Sequence, residues 1–99
     1  MTHVTIQEDG ARLVAMLSGE IDHHWAAVLR QQIDDQIQKK MPSVLVLDFS
    51  EVTFMDSSGV GLILGRHRLL HSLGGNVVVQ KAPREIKRML SLAGIESEE

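Results

Sequence analysis

Asp56, Ser57 and Ser58 stand together where a strand-like segment gives way to Gly59 and the apolar, glycine-spaced run from Val60 to Gly65. Three kinds of chemistry are open to such a turn: helix capping, nucleophilic attack and the carriage of a phosphoryl group. Capping needs only one of the three residues, its side-chain oxygen accepting from a free amide of the first helical turn. Gly59 then lets the backbone turn. Sites in open α/β sheets lie beyond the carboxyl ends of parallel strands, and this turn is at such a position.

The nucleophile reading fails on spacing. A strand-to-helix elbow has a glycine two residues before its serine, whereas Met55 precedes Ser57 and Asp56 precedes Ser58 at that distance. The available histidines, His67 and His71, fall on the same helix as the serines. At about 1.5 Å of rise per residue, neither reaches back to the first turn.

Asp48, at the end of the Val44–Leu47 run, is a second candidate phosphate acceptor, with Lys81 beyond a later strand. That chemistry needs further acids for magnesium at a neighbouring strand end. Only Glu20 and Asp22 are near one, so Asp48 reads as a turn residue before Ser50. In Asp22-His23-His24 the adjacent histidines point apart and lack the i, i+4 spacing of metal ligands, so the segment reads as a capped helix start without a metal. Neither the P-loop nor the dinucleotide fingerprint occurs, so no cofactor is expected.

The elements that must position these residues follow from the periodicities. Val4 and Ile6 alternate with polar neighbours up to the turn Glu8-Asp9-Gly10. Leu13–Leu17 is apolar throughout, as in a strand covered on both faces, and stops at Ser18-Gly19. Trp25, Leu29, Ile33 and Ile37, with Val28, form the stripe of a helix of about four turns, capped by Asp22 or His23 and closed by Lys39-Lys40 and Pro42. Strands at Val44–Leu47 and Val77–Val79 flank a helix from Ser58 to Leu73, which ends at Gly74-Gly75.

Ile86, Met89, Leu90 and Ala93 give a third helix, and Glu96–Glu99 reads as a solvated tail. The order β-β-α-β-α-β-α predicts one α/β domain over residues 1–99, with a mixed, mostly parallel sheet of about four strands. Gly61 and Gly65, four apart, predict close packing of the second helix on the sheet. That helix carries more apolar residues than one face can bury, which predicts exposed apolar surface near the serine turn for a partner.

Composition narrows the function. A formal charge of −3, from ten basic and thirteen acidic residues, argues against nucleic acid as a partner. The absence of cysteine excludes disulfides, thiol catalysis and thiolate zinc sites. No signal-peptide pattern and no apolar run near the roughly 18 residues of a membrane span occur, so a cytoplasmic domain is expected.

Three separated motifs carry a resemblance: Gly19-Glu20-Ile21-Asp22-His23-His24, Phe54-Met55-Asp56-Ser57-Ser58-Gly59-Val60-Gly61, and Ile63-Leu64-Gly65-Arg66 followed by Gly74-Gly75. In this order, over nearly the whole chain, they resemble the anti-sigma factor antagonists of the STAS family, its sporulation branch most closely. The resemblance implies a binding protein without enzymatic activity. Its partners would be an anti-sigma factor serine kinase, from which it displaces a sigma factor, and a PP2C-type phosphatase. It implies Ser57 as the serine that the kinase phosphorylates to switch the protein off, with Asp22, His23, Asp56, Ser58 and Gly59 on the kinase-facing surface. The family usually continues beyond Ala93-Gly94-Ile95 with another strand and a helix, which this chain is expected to lack. The competing expectations are a small serine-dependent hydrolase and a constitutive STAS scaffold. Independently of the resemblance, a phosphate at a helix N-terminus is stabilised by amides and dipole, so the domain need not unfold to carry one.

Overall fold

A computed structural model describes all of residues 1–99. The chain runs β1 (His3–Asp9), β2 (Arg12–Ile21), α1 (His23–Lys40), β3 (Val44–Met55), α2 (Ser57–Ser72), β4 (Asn76–Gln80), α3 (Arg84–Leu92) and β5 (Ser97–Glu98). The strands form one sheet in the order β1-β2-β3-β4-β5, with β1 antiparallel to β2 and the remaining pairs parallel. Because the parallel strands follow chain order, every crossover steps the same way, and right-handed crossovers place their helices on the same face. α1 and α2 accordingly pack side by side, with Arg66 of α2 reaching Asp34 of α1.

The core lies between that helix layer and one face of the sheet. Leu13, Ala15 and Leu17 of β2, Leu45, Leu47 and Phe49 of β3, and Val77 and Val79 of β4 meet Leu29, Ile33 and Ile37 of α1 and Leu62, Ile63 and Leu70 of α2. Ile86 and Leu90 add the apolar edge of α3. The unbroken apolar run of β2 therefore does not mean burial on both faces. Val14 and Met16 project to the other side and are only half-buried, with Val14, Val46 and Val78 in register across three strands.

α1 begins two residues before Trp25 and is longer than expected, at 18 residues. Its buried row runs Ala26, Leu29, Ile33 and Ile37, while Trp25 is half-buried beside the start of the helix. Helix α2 and helix α3 fall close to where periodicity put them.

Strand β3 is the main departure. It continues past Leu47 to Met55 and carries Asp48 inside it, 4% exposed, so Asp48 is a strand residue rather than a turn residue. Between the pairs Met16↔Asp48 and Ser18↔Glu51, β2 advances two residues and β3 three; a second extra residue enters between Gly19↔Val52 and Glu20↔Phe54. Each is a bulge, which bends the strand and leaves a residue unpaired. Asp48 holds the first: its Oδ1 accepts from the Ser50 amide at 2.9 Å and the Ser50 hydroxyl at 2.7 Å, and its Oδ2 accepts from the Gln80 side-chain amide at 3.0 Å. Burial pushes this carboxyl's pKa up, but the hydrogen bonds from Ser50 and Gln80 and the charge of Lys81 outweigh it and hold the group below its ordinary value.

The tail is also more than solvated chain. Ile95 is buried, and Ser97–Glu98 adds a fifth, two-residue strand beside Val79 and Gln80, with the Lys81 amide donating to the Glu98 carbonyl at 2.7 Å. Glu96, Glu98 and Glu99 still face water, as their charge requires.

Candidate functional site

The two bulges let the ends of β2 and β3 finish level, with Ile21 paired to Met55. The two strand-to-helix junctions are therefore neighbours, joined by a hydrogen bond from the Asp56 amide to the Ile21 carbonyl at 3.1 Å. Asp22 and Asp56 take up nearly identical extended conformations, φ −101°, ψ −173° and φ −100°, ψ −173°. Each caps its helix. Asp22 Oδ1 accepts from the Trp25 amide at 2.9 Å, and Asp56 Oδ1 accepts from the Ser58 amide at 2.8 Å. Two helix N-termini, each with partial positive charge, thus open at the carboxyl edge of the sheet.

Of the three residues that could cap α2, Asp56 does so. Ser57, the first helical residue, is exposed and released from that duty, while Ser58 is half-buried. Gly59 is buried because a side chain has no room there: a Cβ would fall 2.2 Å from Met55 Sδ and 2.3 Å from its Cγ. That close approach seats the serine turn on the end of β3.

Asp22, His23, Asp56, Ser57, Ser58 and Gly59, far apart in sequence, therefore share one edge of the molecule. His23 and His24 are exposed, and His24 meets Trp25 edge-on at 5.0 Å between ring centroids. No three His, Asp or Glu side chains converge to ligate a metal. His67 lies ten residues into α2 from Ser57, about 15 Å along the axis, so the histidines of α2 itself are not placed to activate the serine.

Sequence reasoning missed Phe54. It is 52% exposed beside Met55 and, with Pro83, Ile86 and Met89, borders a largely apolar hollow adjoining the serine turn. The exposed apolar surface near the turn comes from this strand end, not from α2, whose exposed Leu64 sits two turns along the helix and is followed only by Leu73 at its C-terminal cap. The signal was present in the aromatic before Met55-Asp56, but the second bulge decides which way it points.

Gly61 and Gly65 do not pack closely on the sheet. A Cβ at either would meet nothing within 4 Å. Since glycine inside a helix is about 0.8–1 kcal/mol less favourable than alanine, Gly61→Ala and Gly65→Ala should each stabilise the protein by roughly that amount in urea unfolding. A loss of stability would show that these positions are sterically closed.

Comparison with known proteins agrees with this geometry. The STAS domain model matches residues 3–99. The anti-sigma F factor antagonist of Paenibacillus polymyxa is 40% identical over 83 residues, covering 84% of this chain and 71% of that protein. The solved structure of the anti-sigma factor antagonist SpoIIAA in its unphosphorylated form superposes with a TM-score of 0.84 at 26% identity, over 98% of this chain and 89% of that one. The phosphorylated form of the Bacillus cell fate determinant SpoIIAA gives 0.77 at 26% identity, over 98% and 92%. No helix of the present chain is long and apolar enough to cross a membrane. With two of its three motifs meeting at one sheet edge and the family model spanning nearly every residue, the chain belongs to the STAS domain family, among the anti-sigma factor antagonists.

Proposed function

We propose that the protein binds an anti-sigma factor that is also a serine kinase, displaces its sigma factor, and is switched off when that kinase phosphorylates Ser57. A PP2C-type phosphatase would restore it, and the cycle would run in the cytoplasm as part of sporulation control. The observation that carries this reading is the division of labour in the serine turn. Asp56 secures the helix while Ser57 stands exposed at its first position. A hydroxyl so placed can enter a kinase site without unfolding anything. In the transfer, Ser57 Oγ forms a bond to the γ-phosphorus of ATP, ADP leaves, and the hydroxyl proton passes to the kinase's base.

The product adds a charge of about −1.5 to −2 at the N-terminus of α2, where amides and dipole stabilise it locally. Docking suffers instead, because the new charge lies on the surface formed by Asp22, His23, Asp56, Ser58 and Gly59. Phe54 supplies that surface with an apolar anchor of the kind interfaces favour.

Incubation with the cognate anti-sigma factor kinase and ATP, followed by mass-spectrometric mapping, should find one acid-stable phosphate on Ser57. An acid-labile phosphate on Asp48 would refute the reading, and labelling of Ser58 alone would refute the assignment of the acceptor. The purified protein should hydrolyse activated esters no faster than background; turnover abolished by Ser57→Ala would instead favour the hydrolase.

A further inference from the structure

The sheet has two edges, and the chain treats them differently. β5 is two residues long and lies among Glu96, Glu98 and Glu99, the short, charged form that keeps an edge from pairing with another chain. β1 has no such protection. It pairs with β2 over all seven residues from His3 to Asp9 without a bulge, contains neither proline nor lysine, and is uncharged from Val4 to Gln7. Its outer row of backbone donors and acceptors therefore stands free on a strand long and regular enough to template another.

Burial is a second sign of an unfinished edge. Val4 and Ile6 pack against the core on the helix side of the sheet, yet both are only half-buried, because no strand lies beyond β1. Thr5 and Gln7, in register with Met16 and Val14, face the other side and are exposed.

The strand's own sequence indicates the occupant. Laid antiparallel on a second copy with full overlap, the seven-residue strand turns about its central residue, Ile6. On the helix side Ile6 then meets Ile6 of the second copy, and Val4 lies against the stem of Glu8, whose carboxylate is held by Lys40 at 2.9 Å. On the other side Thr5 meets Gln7 and His3 meets Asp9, each pair occurring twice, so donors face acceptors and no like charges are opposed.

We propose that β1 is a self-association edge, through which two copies of the chain pair β1 to β1, antiparallel about Ile6, and join their five-stranded sheets into one. The contact is isologous and occupies the same edge on both copies, so it closes at a dimer instead of growing into a fibre. One strand pair buries less than the roughly 800 Å² per partner of a standard interface, so the dimer forms at high protein concentration and comes apart on dilution.

The unphosphorylated protein alone serves for the test, which therefore stands apart from the Ser57 switch. Sedimentation equilibrium from micromolar to millimolar protein should show the mass rising from one chain to two and stopping there. The double variant Thr5→Lys, Gln7→Lys changes exposed residues only and sets lysine against lysine at both pairs. It should weaken the dimer about tenfold or more while the melting temperature of the dilute protein holds. His3→Glu should weaken the dimer as well, and adding Asp9→Lys should restore it.

The chain has no cysteine, so Ile6→Cys introduces a single thiol. In the proposed pairing the two copies of this position stand about 4.5–5.5 Å apart between Cα atoms, within disulfide reach. Mild oxidation should link Ile6→Cys many-fold faster than Leu92→Cys, a control position on α3 that is 86% exposed. A single-chain mass up to millimolar protein, association that survives the double-lysine variant, failure of Asp9→Lys to restore the dimer, or cross-linking of Ile6→Cys no faster than that of Leu92→Cys would each overturn the proposal.

Discussion

Ser57→Asp is expected to remain folded yet bind the anti-sigma factor kinase about a hundredfold more weakly, roughly 3 kcal/mol, the scale for an unpaired carboxylate buried at an interface. Ser57→Ala should bind as tightly as the unmodified protein and release sigma factor constitutively. The structure makes this pair a sharp instrument, because the cap belongs to Asp56. With capping out of the way, both variants should keep their stability to within about 0.5 kcal/mol. An aspartate at the first helical position is itself favoured by the dipole. Thermal melts separate folding from binding, and calorimetric titration reads the binding. Unimpaired binding by Ser57→Asp would remove the main support for a charge-operated switch. A large loss of stability in Ser57→Ala would return the serine to a capping role.

Asp48 should prove the reverse, a residue whose loss is felt in stability and not in phosphorylation. Asp48→Ala strips the acceptor from the Ser50 amide, the Ser50 hydroxyl and the Gln80 side chain together. It should cost about 2–3 kcal/mol, since hydrogen bonds to a charged group are worth about 1.5–3 kcal/mol, while the exposed Ser50 can turn to water and only the half-buried Gln80 amide is left short of an acceptor. The same site sets an acid limit. Asp48's folded pKa lies below its ordinary value of 3.8, so as pH falls the unfolded chain takes up the proton first. Its contribution is complete above the ordinary value, shrinks below it and is gone beneath the folded pKa. Urea unfolding across that range should show the parent losing stability and Asp48→Ala losing less. Equal acid slopes would mean that the bulge does not depend on the ionised carboxylate.

Helices were legible because their buried rows keep a period that needs no knowledge of neighbours: Leu29, Ile33 and Ile37, or Ile86 and Leu90. The serine turn was legible for the same local reason, since caps are short-range chemistry. Strand β3 was not. Its buried residues run Phe49, Val52 and Met55, three apart where a regular strand would give two, because each bulge inserts a residue that only the register with β2 reveals. Phe54 was hidden by the same irregularity.

Gly61 and Gly65 show a different limit. A glycine pair four apart in a helix has one signature whether it receives a neighbour or keeps a space open, and only packing tells the two apart. Arg66 likewise stands in the Ile63-Leu64-Gly65-Arg66 motif with nothing local to say that it is buried beside Asp34 of another helix. Ser97–Glu98 was missed because two polar residues carry almost no strand signal, and their pairing rests on the burial of Ile95.

The most direct measurement is a calorimetric titration of the cognate anti-sigma factor kinase with protein fully phosphorylated at Ser57, with the unmodified protein, and with the phosphorylated sample after treatment by a PP2C-type phosphatase. The phosphorylated form should bind more weakly than Ser57→Asp does, because its charge is larger, and the dephosphorylated sample should regain the affinity of the unmodified protein. Equal affinities for the phosphorylated and unmodified forms would contradict the account, leaving a STAS domain whose binding does not depend on Ser57.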